Sequence, residues 1–253
     1  MMRAQTFGAG PDLVMLPGWS MTGAVWPDLA ERLSRDWRVT LVDLPGHGAN
    51  AAVPFEQVDA AERVAACVPP GAVWLGWSLG GQVALQAAAS GAAVRALILL
   101  AATPRFTAAP DWPHGVSAQE LDDLRRQVDR DPERARAGFV ALLARGGADS
   151  RRAAGHLRRA LRTAAFSATG LRSALDWLAE TDLRPALPSI VQPAWWLNGD
   201  EDPLAAPPTG PSASALMPRG QFGRLQGSGH VPFLTHADAI VSTLEQARTI
   251  IAP

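Results

Sequence analysis

An α/β architecture, a mostly parallel sheet interrupted by an all-helical insertion, is what this 253-residue chain predicts. Three observations carry that prediction. Up to residue 101, short apolar runs alternate with segments of helical spacing. From about 111 to 180 there is no strand-like run, only separate stretches of helical spacing. Beyond 190, strand-like runs resume. Strands alternating with helices imply right-handed crossovers and parallel pairing. Strands that are apolar at nearly every position fit a sheet covered on both faces.

In chain order, residues 12–16 read as a strand ending at Pro17-Gly18, and residues 25–33 as a helix with Trp26, Leu29 and Leu33 on one face. Residues 39–44 form a second buried strand, closed by the turn Pro45-Gly46-His47-Gly48. A helix over 56–68, a strand over 72–77, a helix over 80–89 and a strand over 94–101 follow. Helices are expected over 117–129, 132–144, 150–165 and 169–180. Strands over 193–198 and 221–226 and a closing helix over 237–251 complete the pattern, with residues 205–215 read as loop. The domain expectation is therefore a core over 1–110, a helical insertion over 111–181 and a returning core over 182–253.

Hydrophobic residues at 47% and charged residues at 19% exclude a disordered or fibrous chain. A net charge of -1 argues against a nucleic-acid binder. Lys is absent, so all 23 basic residues are Arg, which in a chain rich in Ala, Gly and Pro reads as base composition. The single Cys67 can form no internal disulfide and is expected to be a buried, inert thiol. The first ten residues lack the apolar stretch of a signal peptide, and no run is long enough to span a membrane. A monomeric cytoplasmic protein is the expectation.

Gly76-Trp77-Ser78-Leu79-Gly80 matches G-x-S-x-G, with Gly81 next. The pentapeptide joins a buried strand to a helix, so Ser78 falls at a sharp turn that exposes its hydroxyl near a helix N-terminus. A glycine-rich turn with an ordinary N-cap serine is the plain alternative. A serine hydroxyl needs an adjacent base to attack at neutral pH. Of five histidines, His230 in Gly227-Ser228-Gly229-His230-Val231-Pro232-Phe233 lies after the last strand and C-terminal to Ser78, the order Ser, acid, His of an α/β-hydrolase fold. His47 reads as structural or rim-lining, His156 as solvated, His236 as opening the closing helix, and His114 as part of the insertion's entry loop.

The acid that orients the imidazole is sought in Asn198-Gly199-Asp200-Glu201-Asp202-Pro203, where Asp202 is the first choice and Asp200 the reserve. Oxyanion donors are the backbone N–H of Leu79 and that of Trp19, in the loop after the first strand. No metal or organic cofactor is required for such chemistry.

The segments Pro17-Gly18-Trp19-Ser20, Val42-Asp43-Leu44-Pro45-Gly46, Trp74-Leu75-Gly76-Trp77-Ser78-Leu79-Gly80-Gly81, Thr181-Asp182-Leu183-Arg184 and Gly229-His230-Val231-Pro232-Phe233 together resemble the pimeloyl-acyl-carrier-protein methyl ester esterases of biotin synthesis. The resemblance spans essentially the whole chain. It implies a triad of Ser78, Asp202 and His230, Asp202 because it fits a G-x-x-D pattern from Gly199. It also implies Trp19 and Leu79 at the oxyanion hole, and an insertion acting as a cap whose arginines dock acyl carrier protein. Arg134 and Arg151 fall where two docking arginines lie. Gly138 and Gly155 stand at two other such places, and Arg136, Arg152, Arg158 and Arg159 lie close enough to substitute. Pro17 stands where those esterases usually carry His.

Charge supports a docking surface from a separate direction. Residues 124–172 hold 12 Arg and 4 acids, a net +8 against -9 for the rest of the chain. Clustered charge speeds encounter with an oppositely charged partner. The competing activity is a related hydrolase acting on small free esters, lactones or thioesters, or cleaving a carbon–carbon bond, for which such a surface is no advantage. A non-catalytic binding module on the same fold is a third reading, disfavoured by an intact Ser, acid and His set.

Overall fold

The computed structural model describes residues 1–56, 59–147 and 149–251. Seven strands, β1 (Ala4–Phe7), β2 (Asp12–Leu16), β3 (Arg38–Val42), β4 (Ala72–Trp77), β5 (Val94–Leu100), β6 (Ala194–Gly199) and β7 (Gly220–Leu225), form one sheet in the order β1-β3-β2-β4-β5-β6-β7. All neighbours pair in parallel except β1, which runs antiparallel to β3. β4 lies mid-sheet and is buried at all six positions, as its unbroken apolar run requires.

Helices α1 (Pro27–Leu33), α2 (Ala60–Ala65), α3 (Leu79–Ala89) and α10 (Ala237–Ile251) accompany the sheet, with short α8 (Thr209–Ser214) and α9 (Pro232–Thr235) near its last strands. The chain departs from the sheet after β5 and returns at β6. Between them stand α4 (Ala118–Arg130), α5 (Pro132–Leu143), α6 (Ser150–Thr163) and α7 (Ala168–Glu180). Side-chain caps start three of them. Ser117 and Glu120 form a reciprocal capping box on α4, Asp131 accepts from Arg134 N at 3.0 Å to start α5, and Ser167 accepts from Gly170 N to start α7. Leu121, Val128, Val140, Leu157, Leu171 and Leu175 point inward from these four helices.

Where the insertion leaves and re-enters, Asp182 accepts from Arg105 at 2.8 Å and from Arg184 at 2.6 Å. The Arg184 guanidinium holds the Asp182 carboxyl down to about 2. Arg184 also lies over Trp112, 5.4 Å from its ring.

Elements that differ from the sequence expectation include β1, α2, α8 and the short α9. β1 is an edge strand, exposed or half-exposed along its length, so Ala4-Gln5-Thr6-Phe7 shows no core-facing alternation. α8 occupies part of the 205–215 stretch read as loop, starting directly after Pro208 with Pro211 in its first turn. α2 is shorter than the helix expected over 56–68, and Gln57 and Val58 of that stretch lie outside the described residues. Cys67, just past α2, is half-buried. Its Sγ donates to Val64 O at 3.2 Å, and burial pushes the thiol pKa up.

Candidate active site

β2, β4, β6 and β7 all end on the same edge of the sheet, and each delivers one part of the site from the loop that follows it. β2 has β3 on one side and β4 on the other, so chain direction across the sheet reverses there. A crevice opens at the carboxyl ends of strands at such a reversal.

Ser78 follows β4 with φ 53° and ψ −117°, a conformation that costs a non-glycine residue about 1–3 kcal/mol. The flanking glycines make the turn possible. A Cβ on Gly76 would sit 2.5 Å from Gly80 O, and one on Gly80 would sit 2.4 Å from Leu16 O. From Ala72 to Leu85, Ser78 is the one residue that is not buried. Packing is tight on every side of a side chain left open to a reactant.

The loop after β2 packs directly on this turn. Gly18 lies so close to Ser78 that a Cβ there would be 3.3 Å from the serine Cβ. The indole of Trp19 donates to Leu171 O at 2.9 Å on α7 and meets the Phe139 ring edge-on at 4.9 Å on α5. The backbone N–H groups of Trp19 and Leu79 have no acceptor among the described residues. Two free N–H groups in segments that pack around Ser78 suit a developing oxyanion.

His230 follows β7 and is 1% exposed. Its Nδ1 lies 2.9 Å from both carboxylate oxygens of Asp202, which is also buried. Asp202 Oδ1 further accepts from Leu204 N and Ala205 N, fixing the carboxylate. A carboxylate at Nδ1 holds the proton there and leaves Nε2 as the basic nitrogen. His230 Nε2 is buried and has no hydrogen-bond partner. Asp200, the reserve choice, does something else: its Oδ1 accepts from Gly227 N at 2.6 Å and ties the two loops together.

An aromatic cluster that sequence reasoning did not anticipate seats the histidine. Trp77 donates from Nε1 to His230 O at 2.7 Å, and its ring meets Phe233 at 4.9 Å and Trp26 at 6.2 Å. Each such ring pair adds about 0.5–1.5 kcal/mol beyond area burial. The signal was present, since Trp77 occupies a variable place in G-x-S-x-G and Phe233 lies three residues past His230.

With this geometry in hand, comparison with known proteins decides the family. Residues 13–243 match the family model described as "Alpha/beta hydrolase family". The chain belongs to the alpha/beta hydrolase family. Within this family it is 38% identical over 255 residues to the pimeloyl-[acyl-carrier protein] methyl ester esterase of Stenotrophomonas maltophilia (strain K279a), covering 100% of this chain and 98% of that protein. It is 40% identical over 248 residues to the esterase of the same name from Xanthomonas oryzae pv. oryzae (strain MAFF 311018), covering 97% and 98%. Among solved alpha/beta hydrolase structures, an esterase from Exiguobacterium antarcticum superposes with TM-score 0.83 at 23% identity, covering 97% of this chain and 94% of that one. The enol-lactonase from Burkholderia xenovorans LB400 superposes with TM-score 0.83 at 20% identity, covering 98% and 96%.

The arginines of residues 124–172, Arg136 apart, divide into two groups. Arg125 pairs with Asp122 and Asp176, Arg126 with Asp123, and Arg172 with Asp129 and Asp176. Asp122, Asp123 and Asp176 lie outside the 124–172 window, so its formal +8 overstates the surface charge. Arg130, Arg134, Arg145, Arg151, Arg152, Arg158, Arg159 and Arg162 are exposed with no carboxylate within 4 Å among the described residues. Arg151 and Arg158, seven apart on α6, share one groove with Arg145.

Arg136 is a correction. Expected among the docking arginines, it is 1% exposed. Its guanidinium stacks 4.1 Å over Phe166 and donates to Ala164 O at 3.1 Å and Leu161 O at 3.4 Å. Those carbonyls end α6, so Arg136 fastens that helix instead of meeting a partner.

His156 is also not solvated as expected. It is half-buried, and its Nε2 lies 2.9 Å from Val25 O. His47 is buried, with Nδ1 2.8 Å from Pro45 O, and burial, aided by nearby Arg136, pushes its pKa down to about 4 from 6.5. The unfolded chain therefore binds this proton at a pH where the folded chain does not. The contribution to stability is complete above about 6.5 and is lost as pH falls through about 4. His47→Gln is expected to flatten the rise of unfolding free energy with pH across that window, measured in urea. A slope unchanged from the parent would contradict this.

A cavity of about 450 Å³ opens between α4, α5 and the segment just after Asp202. Phe106, Val116, Leu121, Leu124, Phe139 and Leu204 make its walls mainly apolar, with His114, Glu120, Asp123 and Gln127 also lining it. Phe139 belongs both to this cavity and to the contact with Trp19, so the cavity adjoins the Ser78 site. Among the described residues, no group of three or more His, Cys, Asp or Glu could hold a metal ion. No described helix is long and apolar enough to cross a membrane.

Proposed function

We propose that this hydrolase removes the methyl ester from a pimeloyl group carried on acyl carrier protein, releasing methanol and the free carboxylate. Near-full-length likeness, at 38–40% identity, to esterases of that name carries the choice of substrate. The Asp202–His230 contact carries the chemistry.

Ser78 Oγ attacks the ester carbonyl while His230 Nε2 takes its proton, and Asp202 stabilises the imidazolium that forms. The N–H groups of Trp19 and Leu79 receive the carbonyl oxygen as it becomes negative, each worth about 3 kcal/mol at the transition state. Collapse breaks the bond to methoxide, which leaves as methanol with the proton from His230. Water, giving its proton to His230, then attacks the acyl-Ser78 ester and frees the pimeloyl carboxylate, and the proton returns to Ser78.

In this reading the insertion over 111–181 is a cap, and the apolar cavity beside Phe139 takes the methylene chain. Arg134, Arg151 and Arg158 meet the acidic carrier. Exposed ion pairs are worth about 0.2–1 kcal/mol each and weaken with salt, but several together raise encounter rates by about tenfold or more. Arg134→Glu with Arg151→Glu is expected to lower kcat/KM on methyl-pimeloyl carrier protein by about that factor. Its kcat/KM on a small soluble ester should stay within about twofold. Raised salt should mimic the change for the first substrate alone. Equal losses on both substrates would assign these arginines to cap stability, and no loss on either would favour small free esters as the substrate.

A further inference from the structure

Three acids in a row, Asp200-Glu201-Asp202, follow β6, and only Asp202 touches His230. Asp200 joins the acid loop to the histidine loop through Gly227 N. Glu201 has an exposed side chain, which as sequence reads as ordinary solvated surface. The structure gives it a partner: Oε2 accepts from Gly147 N at 2.6 Å, in the turn between α5 and α6. Its own N–H donates to Ser228 O at 3.0 Å. One residue thus bonds both the histidine loop and the helical insertion, and it immediately precedes Asp202.

The three segments it joins are packed backbone against backbone. A Cβ on Gly146 would lie 2.0 Å from Glu201 O, and one on Gly229 would lie 2.8 Å from both Arg145 O and Gly146 O. Gly146 and Gly147 hold φ of +75° and +79°, a turn that residues with side chains rarely adopt. Such contact leaves no side chain between the insertion's turn and the backbone beside His230. A shift of the turn is therefore passed on to the loops.

We infer that Glu201 is a positioning residue, whose carboxylate pins the 145–147 turn against the loops bearing Asp202 and His230 and keeps that pair aligned. This rests on the reading of Ser78, Asp202 and His230 as the triad. Misplacement of a catalytic group by about 1 Å can cost a hundredfold in rate. Glu201 is one of several restraints, so its loss should cost less.

The test is steady-state kinetics on a small soluble ester, with kcat expressed per Ser78 titrated by a fluorophosphonate so that only folded enzyme is counted. Glu201→Ala is expected to lower kcat about tenfold with KM within about twofold. Glu201→Gln, which keeps an acceptor oxygen for Gly147 N, should recover to within about threefold of the parent. Gly146→Ala, pressing on Glu201 O from the other side, should lower kcat like Glu201→Ala. A parent-like kcat for Glu201→Ala would overturn the inference, and so would equal losses in the Ala and Gln variants. Asp202→Asn, run alongside, separates the two levels. If it is inactive while Glu201→Ala is unimpaired, only the positioning role fails. If Asp202→Asn is itself fully active, the triad reading beneath it fails.

Discussion

Replacing Ser78 with Ala is expected to lower kcat for ester hydrolysis by about five to six orders of magnitude, because members of a triad act as a unit. The change removes one oxygen from a residue whose Cβ already fits the turn at φ 53°. The fold should therefore persist, with a thermal midpoint near that of the parent. A residual rate above that in water is expected, since the Trp19 and Leu79 donors and the apolar cavity remain. The variant should also resist a serine-directed phosphonate that labels the parent stoichiometrically. Near-parent turnover by the Ala variant would remove Ser78 from the chemistry.

Asp202→Asn should cost about 10⁴ in kcat at neutral pH, because an amide can donate to Nδ1 and so favours the wrong imidazole tautomer. Asp202 Oδ1 also accepts from Leu204 N and Ala205 N, so part of the loop's anchoring depends on the same oxygen. Asp200→Asn should cost no more than about tenfold, because its oxygen meets Gly227 N and not the imidazole. Kinetics of both variants on one small ester, with circular dichroism as a check on folding, compares them directly. A larger loss at Asp200 would transfer the orienting role to that residue.

The strand–turn–helix around Ser78 was legible because its burial, its glycines and its period all require one backbone path. β4 is apolar at every position, and the glycines at 76 and 80 stand where a Cβ has no room. The four insertion helices were legible to within two residues at each end, three of them because Ser117, Asp131 and Ser167 cap α4, α5 and α7 with local hydrogen bonds. The choice between Asp202 and Asp200 was not local. Both lie on one loop, and only the position of His230, 28 residues on, distinguishes them.

Arg136 illustrates the opposite case. Its neighbours in sequence, Glu133 included, suggest one more surface arginine, but the partners that bury it, Phe166 and the carbonyls of Leu161 and Ala164, come from the end of α6 and the segment after it. A guanidinium with that set of acceptors and an aromatic face can be buried, and no helical period reveals it. The formal charge of the 124–172 window misled in the same way, since Asp122, Asp123 and Asp176 neutralise it from outside the window. β1 and α8 escaped because neither buries an amphipathic face long enough to leave a period.

The central claim is that a Ser78-dependent esterase acts on the methyl ester of a carrier-bound pimeloyl group. Its most direct measurement is mass spectrometry of methyl-pimeloyl carrier protein incubated with the purified chain, with methanol assayed in parallel. The account predicts loss of the mass of one methylene from the carrier, matched by one methanol, with the thioester to the prosthetic group intact and no reaction with Ser78→Ala. An unchanged carrier mass, or release of the whole acyl group by cleavage of the thioester, would contradict it.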